Sequence, residues 1–340
     1  MPIDKNKYLY IYSNIFFVKG YARTMIYDSC SQRILFMNNS FYAIIENFRK
    51  YKINEVVKMN NNLDVMGFVE YMLDKNFASI VNEISSFPKL EYTWNSANQM
   101  ENAIIDVNET SNHDFRKISK ELQYFHCAHL EIRIFYSANI VDLSNIAKYF
   151  CKADFNSVDF IVKYNADLSS DNYLKLAASY PPISFFVYGS PYNHYYKSII
   201  DSTYHGIGFV YFLKQNIKST TDCGVINRHS FCLPSTVSDF TEGILKNRCL
   251  NRKISITADG MIKNCPCMSN SYGNVNNHSI VDIFLSKNFR KYWNIRKDEI
   301  HVCKDCEYRY LCSDCRAFLN SLYEKPSKCM YNPYKQKWEK

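Results

Sequence analysis

The chain has 340 residues, 47% of them hydrophobic and 16% aromatic, which is enough for two or three packed cores. Its net charge of +8 is modest, and local basic groups such as Arg248, Arg252 and Lys253 read as solvated surface rather than a gathered patch, which argues against nucleic acid as a partner. No apolar run reaches the roughly 18 residues that a membrane span needs, and Met1-Pro2-Ile3-Asp4-Lys5 opens no export signal, so a soluble cytoplasmic protein is expected.

Ile15 to Val18, Thr24 to Tyr27 and Arg33 to Met37 are short apolar runs, the last two joined by the turn Asp28-Ser-Cys-Ser-Gln32. Then the period lengthens. Ser40 predicts a helix N-cap, with Phe41, Ile44, Ile45 and Phe48 on one face, and Val65, Phe68, Val69, Met72 and Leu73 repeat that spacing. The polar stretch around Pro88, from about 85 to 102, predicts a boundary. Beyond it, strand-like runs begin near Ala103, Leu130, Val158, Ile183 and Ile207, at intervals of 27, 28, 25 and 24 residues. Helical faces fall between them, first Phe115, Ile118, Leu122 and Phe125, then Leu143, Ile146, Ala147, Phe150 and Cys151. This alternation predicts a parallel sheet with crossover helices.

The last third is organised by cysteine. Cys249, ten residues, Gly260, four residues and Cys265 are followed by Cys303, Cys306, Cys312, Cys315 and finally Cys329. Asp259-Gly260 reads as a hairpin turn between Ile254-Ser-Ile256 and Met261-Ile-Lys263, bringing Cys249 and Cys265 within reach of one metal. Disulfides are disfavoured by the compartment and by the odd count of 13 cysteines. Zinc ribbons separate their C-x2-C pairs by about a dozen residues or more, whereas only Glu307 to Leu311 lie between Cys306 and Cys312. Compact runs of this kind suit iron-sulfur ligation. His229, His278 and His301 lie near enough in sequence to complete a ligand set, Tyr292 and Trp293 are expected to pack behind the cysteine loops, and lone Cys127, Cys151 and Cys223 read mostly as small buried hydrophobes.

The cysteine order resembles a SPASM domain, the auxiliary iron-sulfur module of radical-SAM peptide-modifying enzymes, with one departure: two residues rather than three separate Cys312 from Cys315. The text around it, Ser271-Tyr-Gly273-Asn274 and Val302 to Arg316, is similar to the SPASM-domain peptide maturases of grasp-with-spasm systems. The resemblance implies one or two 4Fe–4S clusters. One would be held by Cys303, Cys306, Cys312 and Cys329, the other by Cys249, Cys265 and Cys315 with a further ligand upstream, Cys232 or, in reserve, Cys267. The fold class it implies is α/β: a degenerate radical-SAM-like partial (β/α) barrel over 100–245, a winged-helix-like, PqqD-like leader-recognition module over 1–95, and a cysteine-rich SPASM domain over 246–340. The cysteines that would hold the SAM-cleaving cluster are missing, since the loop after the first barrel strand reads Asn108-Glu-Thr-Ser-Asn-His113 and no C-x3-C-x2-C occurs anywhere. SAM cleavage is therefore not expected. The function implied is that of an accessory or maturase protein in ribosomal peptide (graspetide-type) biosynthesis, with a precursor peptide and an ATP-grasp ligase as partners. An active redox or radical peptide-modifying enzyme and a zinc-stabilised adaptor are the alternatives.

Overall fold

The computed structural model describes residues 2–151, 155–197, 208–231 and 236–339. Near the N-terminus, Tyr8–Ile11 (β1) precedes a three-stranded antiparallel meander of Ile15–Lys19 (β2), Thr24–Asp28 (β3) and Arg33–Met37 (β4). Three short helices follow, Tyr42–Phe48 (α1), Ile53–Met59 (α2) and Val65–Asp74 (α3). Ser40 does not cap α1. It lies inside a 3-10 turn over Asn39–Phe41 and donates its own N–H to the Asn38 side chain, which is the cap. After α3, Ala78–Val81 (β5) pairs antiparallel with β1. Neither strand was anticipated, because partners about seventy positions apart leave no hairpin signal between them.

The meander is buried on both faces. Side chains alternate along a strand, so Ile15, Phe17, Ile26, Leu35 and Met37 pack on α1–α3. Their neighbours Phe16, Val18, Met25, Tyr27, Ile34 and Phe36 pack on Phe240, Tyr308, Leu311 and Tyr331, which belong to the last third of the chain.

The main sheet holds the expected strands: Asn102–Val107 (β6), His129–Ile134 (β7), Ser157–Lys163 (β8), Ile183–Tyr188 (β9) and, after the short edge strand His194–Lys197 (β10), Phe209–Leu213 (β11). Ile207, where the last run was expected to start, lies outside the described residues. Phe115–Tyr124 (α4), Ile140–Ala147 (α5) and Ser170–Ser179 (α6) are the crossovers. After Val237–Leu245 (α7), Lys253–Ile256 (β12) and Ile262–Lys263 (β13) form the hairpin read around Gly260, and β12 also joins the sheet beside β6. The resulting order is β10-β11-β9-β8-β7-β6-β12-β13, with both edge pairs antiparallel and the rest parallel.

The two faces of this sheet differ. Ile256, Ile105, Ile132, Phe160, Phe185 and Val210 form one cross-strand row, fully buried under the crossover helices and Ile280–Leu285 (α8). On the other face a row runs Ser255, Ile104, Glu131, Asp159, Ser184, and a second begins Asp106, Arg133, Ile161. Right-handed crossovers place successive helices on one side of a parallel sheet when the strand order advances in one direction. That leaves the polar face free to line an interior.

Helix α7 is the wedge between the meander and the cysteine loops. Phe240 stacks on Phe16 at 4.1 Å and lies 5.8 Å from Tyr27, while Gly243 passes so close to Tyr310 that a Cβ there would sit 2.2 Å from its carbonyl oxygen. Phe240→Ala is expected to lower stability by about 3–5 kcal/mol, measured by urea denaturation, with the largest gain in amide exchange on β2 and β3.

Candidate metal centre

The segment from 301 to 330 contains one 3-10 turn, Cys303–Asp305, and otherwise no helix or strand. Its shape is set by local turns and side-chain bonds. Cys303 N–H donates to the His301 carbonyl at 2.8 Å, closing a γ-turn on Val302, whose φ of +66° is unfavourable for a β-branched residue. This turn directs Cys303 inward, and its side chain is buried.

Two sulfur neighbourhoods result. In the first, burial pushes the Cys249 thiol up to about 12, with Lys253 opposing and Cys265, Cys315 and Cys223 adding to the rise. Cys223 in turn lies within electrostatic reach of Cys265 and Cys315. The backbone after it presses on this group: Gly224, at φ +87°, would bring a Cβ to 2.9 Å from Cys315 Sγ, so only glycine fits. In the second neighbourhood, burial pushes Cys303 up to about 12, against Lys297 and with Cys312 beside it. Burial likewise raises Cys306, which also feels Cys312 and Cys303, and Cys329, which feels Cys312. Ile226 bridges to Cys329, so the stretch from Cys223 to Ile226 touches both neighbourhoods.

Every cysteine named in the sequence as a cluster ligand lies in or beside one of these neighbourhoods except Cys232, which lies outside the described residues. Cys267 stays beside Cys265 and donates from Sγ to the Thr220 carbonyl at 2.8 Å. Cys127 is a buried apolar residue as expected, but Cys223 is not: it is exposed and stands at the rim of the first group. No cysteine lies at x2 spacing from Cys223, so nothing local marks it as a ligand. Of the histidines, His278 turns its Nδ1 to the Asn274 backbone, at 3.2 Å from both its N–H and its carbonyl. Tyr292 packs with Cys265 and Cys303, whereas Trp293 turns to the core of the main sheet.

Among the described residues no three His, Cys, Asp or Glu side chains converge on a single ion position. The donors of each neighbourhood are thiols, the type that iron-sulfur clusters use. Cations accompany them. Burial works against the charge of Lys253, but Cys249, Cys265 and Glu131 outweigh it and hold it above the ordinary range. Lys297 is 3% exposed, ion-pairs with Asp314 at 2.8 Å and brings Nζ to 4.0 Å from Cys303 Sγ. Asp314 is shared with the buried Arg316 at 2.7 Å, which leaves one buried positive charge in excess beside the sulfurs. Thiols that burial pushes up at Cys249, Cys303, Cys306 and Cys329, next to cations with too few anions, fit a group that takes thiolates as ligands and carries net negative charge.

Residues 248–307 match the SPASM family model, an iron-sulfur cluster-binding domain. Cys249, Cys265, Cys303 and Cys306 fall inside the SPASM match, and Cys312, Cys315 and Cys329 follow it. Among solved structures, Streptococcus suis SuiB bound to S-adenosylmethionine is similar at 12% identity with a TM-score of 0.38, covering 95% of this chain and 100% of its own. The same protein bound to its precursor peptide SuiA gives 9% identity and 0.38 over the same shares. No curated protein matches the chain.

The SPASM hairpin also closes a cavity of about 400 Å³ at the carboxyl ends of β6, β7 and β12, lined by Asp106, Asn108, Phe135, Lys218, Thr220 and Pro266 among others. Ligands of open α/β sheets sit at this end. Arg133 grips Asp106 with two hydrogen bonds, at 2.6 and 2.9 Å, on its floor. The loop that in the radical-SAM resemblance would carry cysteines is a polar turn: Ser111 Oγ accepts from Asn108 N–H and donates to Ala258 O at 2.7 Å. His113 beside it is held below the ordinary histidine range by burial.

On the same polar face, burial first and Glu131 second raise Asp159 to about 6. The folded chain binds this proton more tightly than the unfolded one, so the contribution is complete below pH 4 or so and is lost as pH rises through about 6. Asp159→Asn should therefore be more stable than the parent near pH 8, on the order of 1–2 kcal/mol after solvent screening, and nearly equal to it near pH 4. Urea midpoints at the two pH values check this.

Proposed function

We propose that this chain is an iron-sulfur protein of ribosomal peptide maturation. In this reading residues 1–95 bind the leader of a precursor peptide, 100–245 form a scaffold or substrate cradle of radical-SAM-like descent, and 246–340 hold the clusters. The observation that carries it is the pair of all-thiol neighbourhoods in and beside a segment that matches the SPASM model. Cys303, Cys306, Cys312 and Cys329 would hold one cluster. Cys249, Cys265, Cys315 and, on its position, Cys223 would hold the other, with Cys267 next in reach. Bound clusters would supply one-electron transfer or a site for a substrate group.

The leader role is supported by the N-terminal module. β4 ends the meander, and no strand pairs with its outer edge among the described residues. Between that edge and α3 lies a groove of about 310 Å³ lined by Phe36, Met37, Phe41, Gly67, Phe68 and Tyr71. A strand edge beside apolar pockets suits an extended peptide, whose backbone would add to the sheet while alternate side chains fill the groove. An ATP-grasp ligase acting on the same precursor is the partner that the grasp-with-spasm resemblance adds.

A redox or radical peptide-modifying enzyme is the second reading, favoured by the cavity that opens beside Pro266 and Thr220, next to the Cys265–Cys267 pair. Its loop of Asn108 to His113 offers no thiolate for a SAM-cleaving cluster.

Anaerobically purified protein is expected to be brown, with iron and acid-labile sulfide in comparable amounts. Cys223→Ser should remove about half of the iron if each neighbourhood holds one cluster, and Cys30→Ser none. Colourless protein with stoichiometric zinc would instead establish the adaptor reading, and 5′-deoxyadenosine formed from S-adenosylmethionine and dithionite the radical one. For the groove, Tyr71→Ala should weaken binding of a fluorescently labelled precursor peptide about tenfold, or 1.4 kcal/mol, by anisotropy. Undiminished affinity would place the leader elsewhere.

A further inference from the structure

Cys312 and Cys315 are separated only by Ser313 and Asp314 and share one packed cluster with Ile226 and Cys329, yet they face different thiols: Cys312 lies within electrostatic reach of Cys303, Cys306 and Cys329, and Cys315 of Cys249 and Cys223. Asp314 is where the chain turns between them. It holds a left-handed φ of +56° and is 1% exposed. Its Oδ1 meets Lys297 Nζ at 2.8 Å and Arg316 Nη2 at 2.7 Å, and its Oδ2 accepts from Asn247 Nδ2 at 2.6 Å. Asn247 continues the chain of contacts, because its Oδ1 takes the N–H groups of Cys249 at 3.1 Å and Leu250 at 3.0 Å. At the other end, Lys297 reaches Cys303. Arg316 is anchored by donating Nη1 to the Leu322 and Glu324 carbonyls, while among the described residues its buried Nε has no hydrogen-bond partner.

A buried path of charge and hydrogen bonds thus runs from the Cys249 loop through Asp314 to Cys303, with two cations to one carboxylate. Packing alone would not call for this arrangement. A buried ion needs compensation, and the excess charge has none within the triad.

Resting on the iron-sulfur reading above, we propose that Lys297, Asp314 and Arg316 are positioning residues that join the two cluster sites into one unit. The Asp314 turn sends the two neighbouring cysteines to different clusters, and the excess positive charge sets how readily the clusters are reduced. Each cluster takes one electron from the reductant and no atom, so the reduced state is more negative by one charge and is favoured by the nearby cations. The sign of the effect follows from the charge removed. Lys297→Gln and Arg316→Gln take away positive charge and should disfavour reduction. Asp314→Asn keeps the size and the tolerance for left-handed backbone but removes the negative charge, and should favour it.

The test is a dithionite titration of anaerobic full-length protein followed by electron paramagnetic resonance, with iron and sulfide analysis of the same samples. The expected result is a midpoint moved to more negative potential in Lys297→Gln and Arg316→Gln and to more positive potential in Asp314→Asn, with iron retained. Any other pattern among variants that keep their iron overturns the proposal, and loss of iron from all three would reduce the triad to a folding element and overturn it as well. Parent protein that carries no iron and sulfide overturns the iron-sulfur reading itself, a result distinguishable from the others before any variant is titrated.

Discussion

The carboxylate of Asp314 holds in place a segment with almost no backbone ladder of its own. From His301 to Met330 the chain has a single 3-10 turn, so the hydrogen bonds that helices and strands supply elsewhere come from local backbone turns and from side chains. Asp314 is one such node and Glu307 is another. Glu307, fully buried, pairs with Arg23 at 2.7 Å and takes the Tyr331 hydroxyl at 2.5 Å. Buried ions are expensive to desolvate and stabilise a structure only when their partners are well placed. What they contribute here is one arrangement of loops that apolar packing could not distinguish from others.

Through Glu307 the same segment becomes the platform for the N-terminal module. The loop at Gly20 to Arg23 lies directly on it: Tyr21 N–H donates to Asp305 O at 2.8 Å, and Arg309 donates to Lys19 O at 2.7 Å. Phe36 links the two regions most closely, since it lines the groove beside β4, carries the Arg23 guanidinium 3.5 Å above its ring, and meets Tyr308 edge-on at 5.7 Å. The cysteine loops therefore have two structural duties, to present sulfur inward and an aromatic surface outward. Tyr308 and Leu311, which form that surface, alternate with Cys306 and Cys312 along the same few residues.

The main sheet divides its labour by face. Its apolar face is a continuous core under the helices, and its other face carries Asp106, Arg133, Glu131 and Asp159 in adjacent registers. Because β12 both completes this sheet and opens the SPASM hairpin, Lys253 stands on the polar face and among the sulfurs at once. The cavity at the carboxyl ends of the strands and the first sulfur neighbourhood are consequently neighbours by construction.

Much of this was legible in the sequence, and the reason is locality. Regular spacing of apolar runs disclosed the five long strands and their crossovers, since period two and period 3.6 are written in consecutive residues. The cysteine spacing is written in the same way, and four of its seven cysteines, Cys249, Cys265, Cys303 and Cys306, fall within the segment that matches the SPASM model. The strand pairs β1–β5 and β6–β12 were not legible, because each joins segments far apart along the chain and a four-residue strand carries no record of its partner. Cys223, Lys297, Asp314 and Arg316 were missed for a related reason. A lone cysteine looks like core in one dimension and three charged residues look like surface, and only the folded chain, by burying two cations against one carboxylate and bringing Gly224 against Cys315, places them among the thiols.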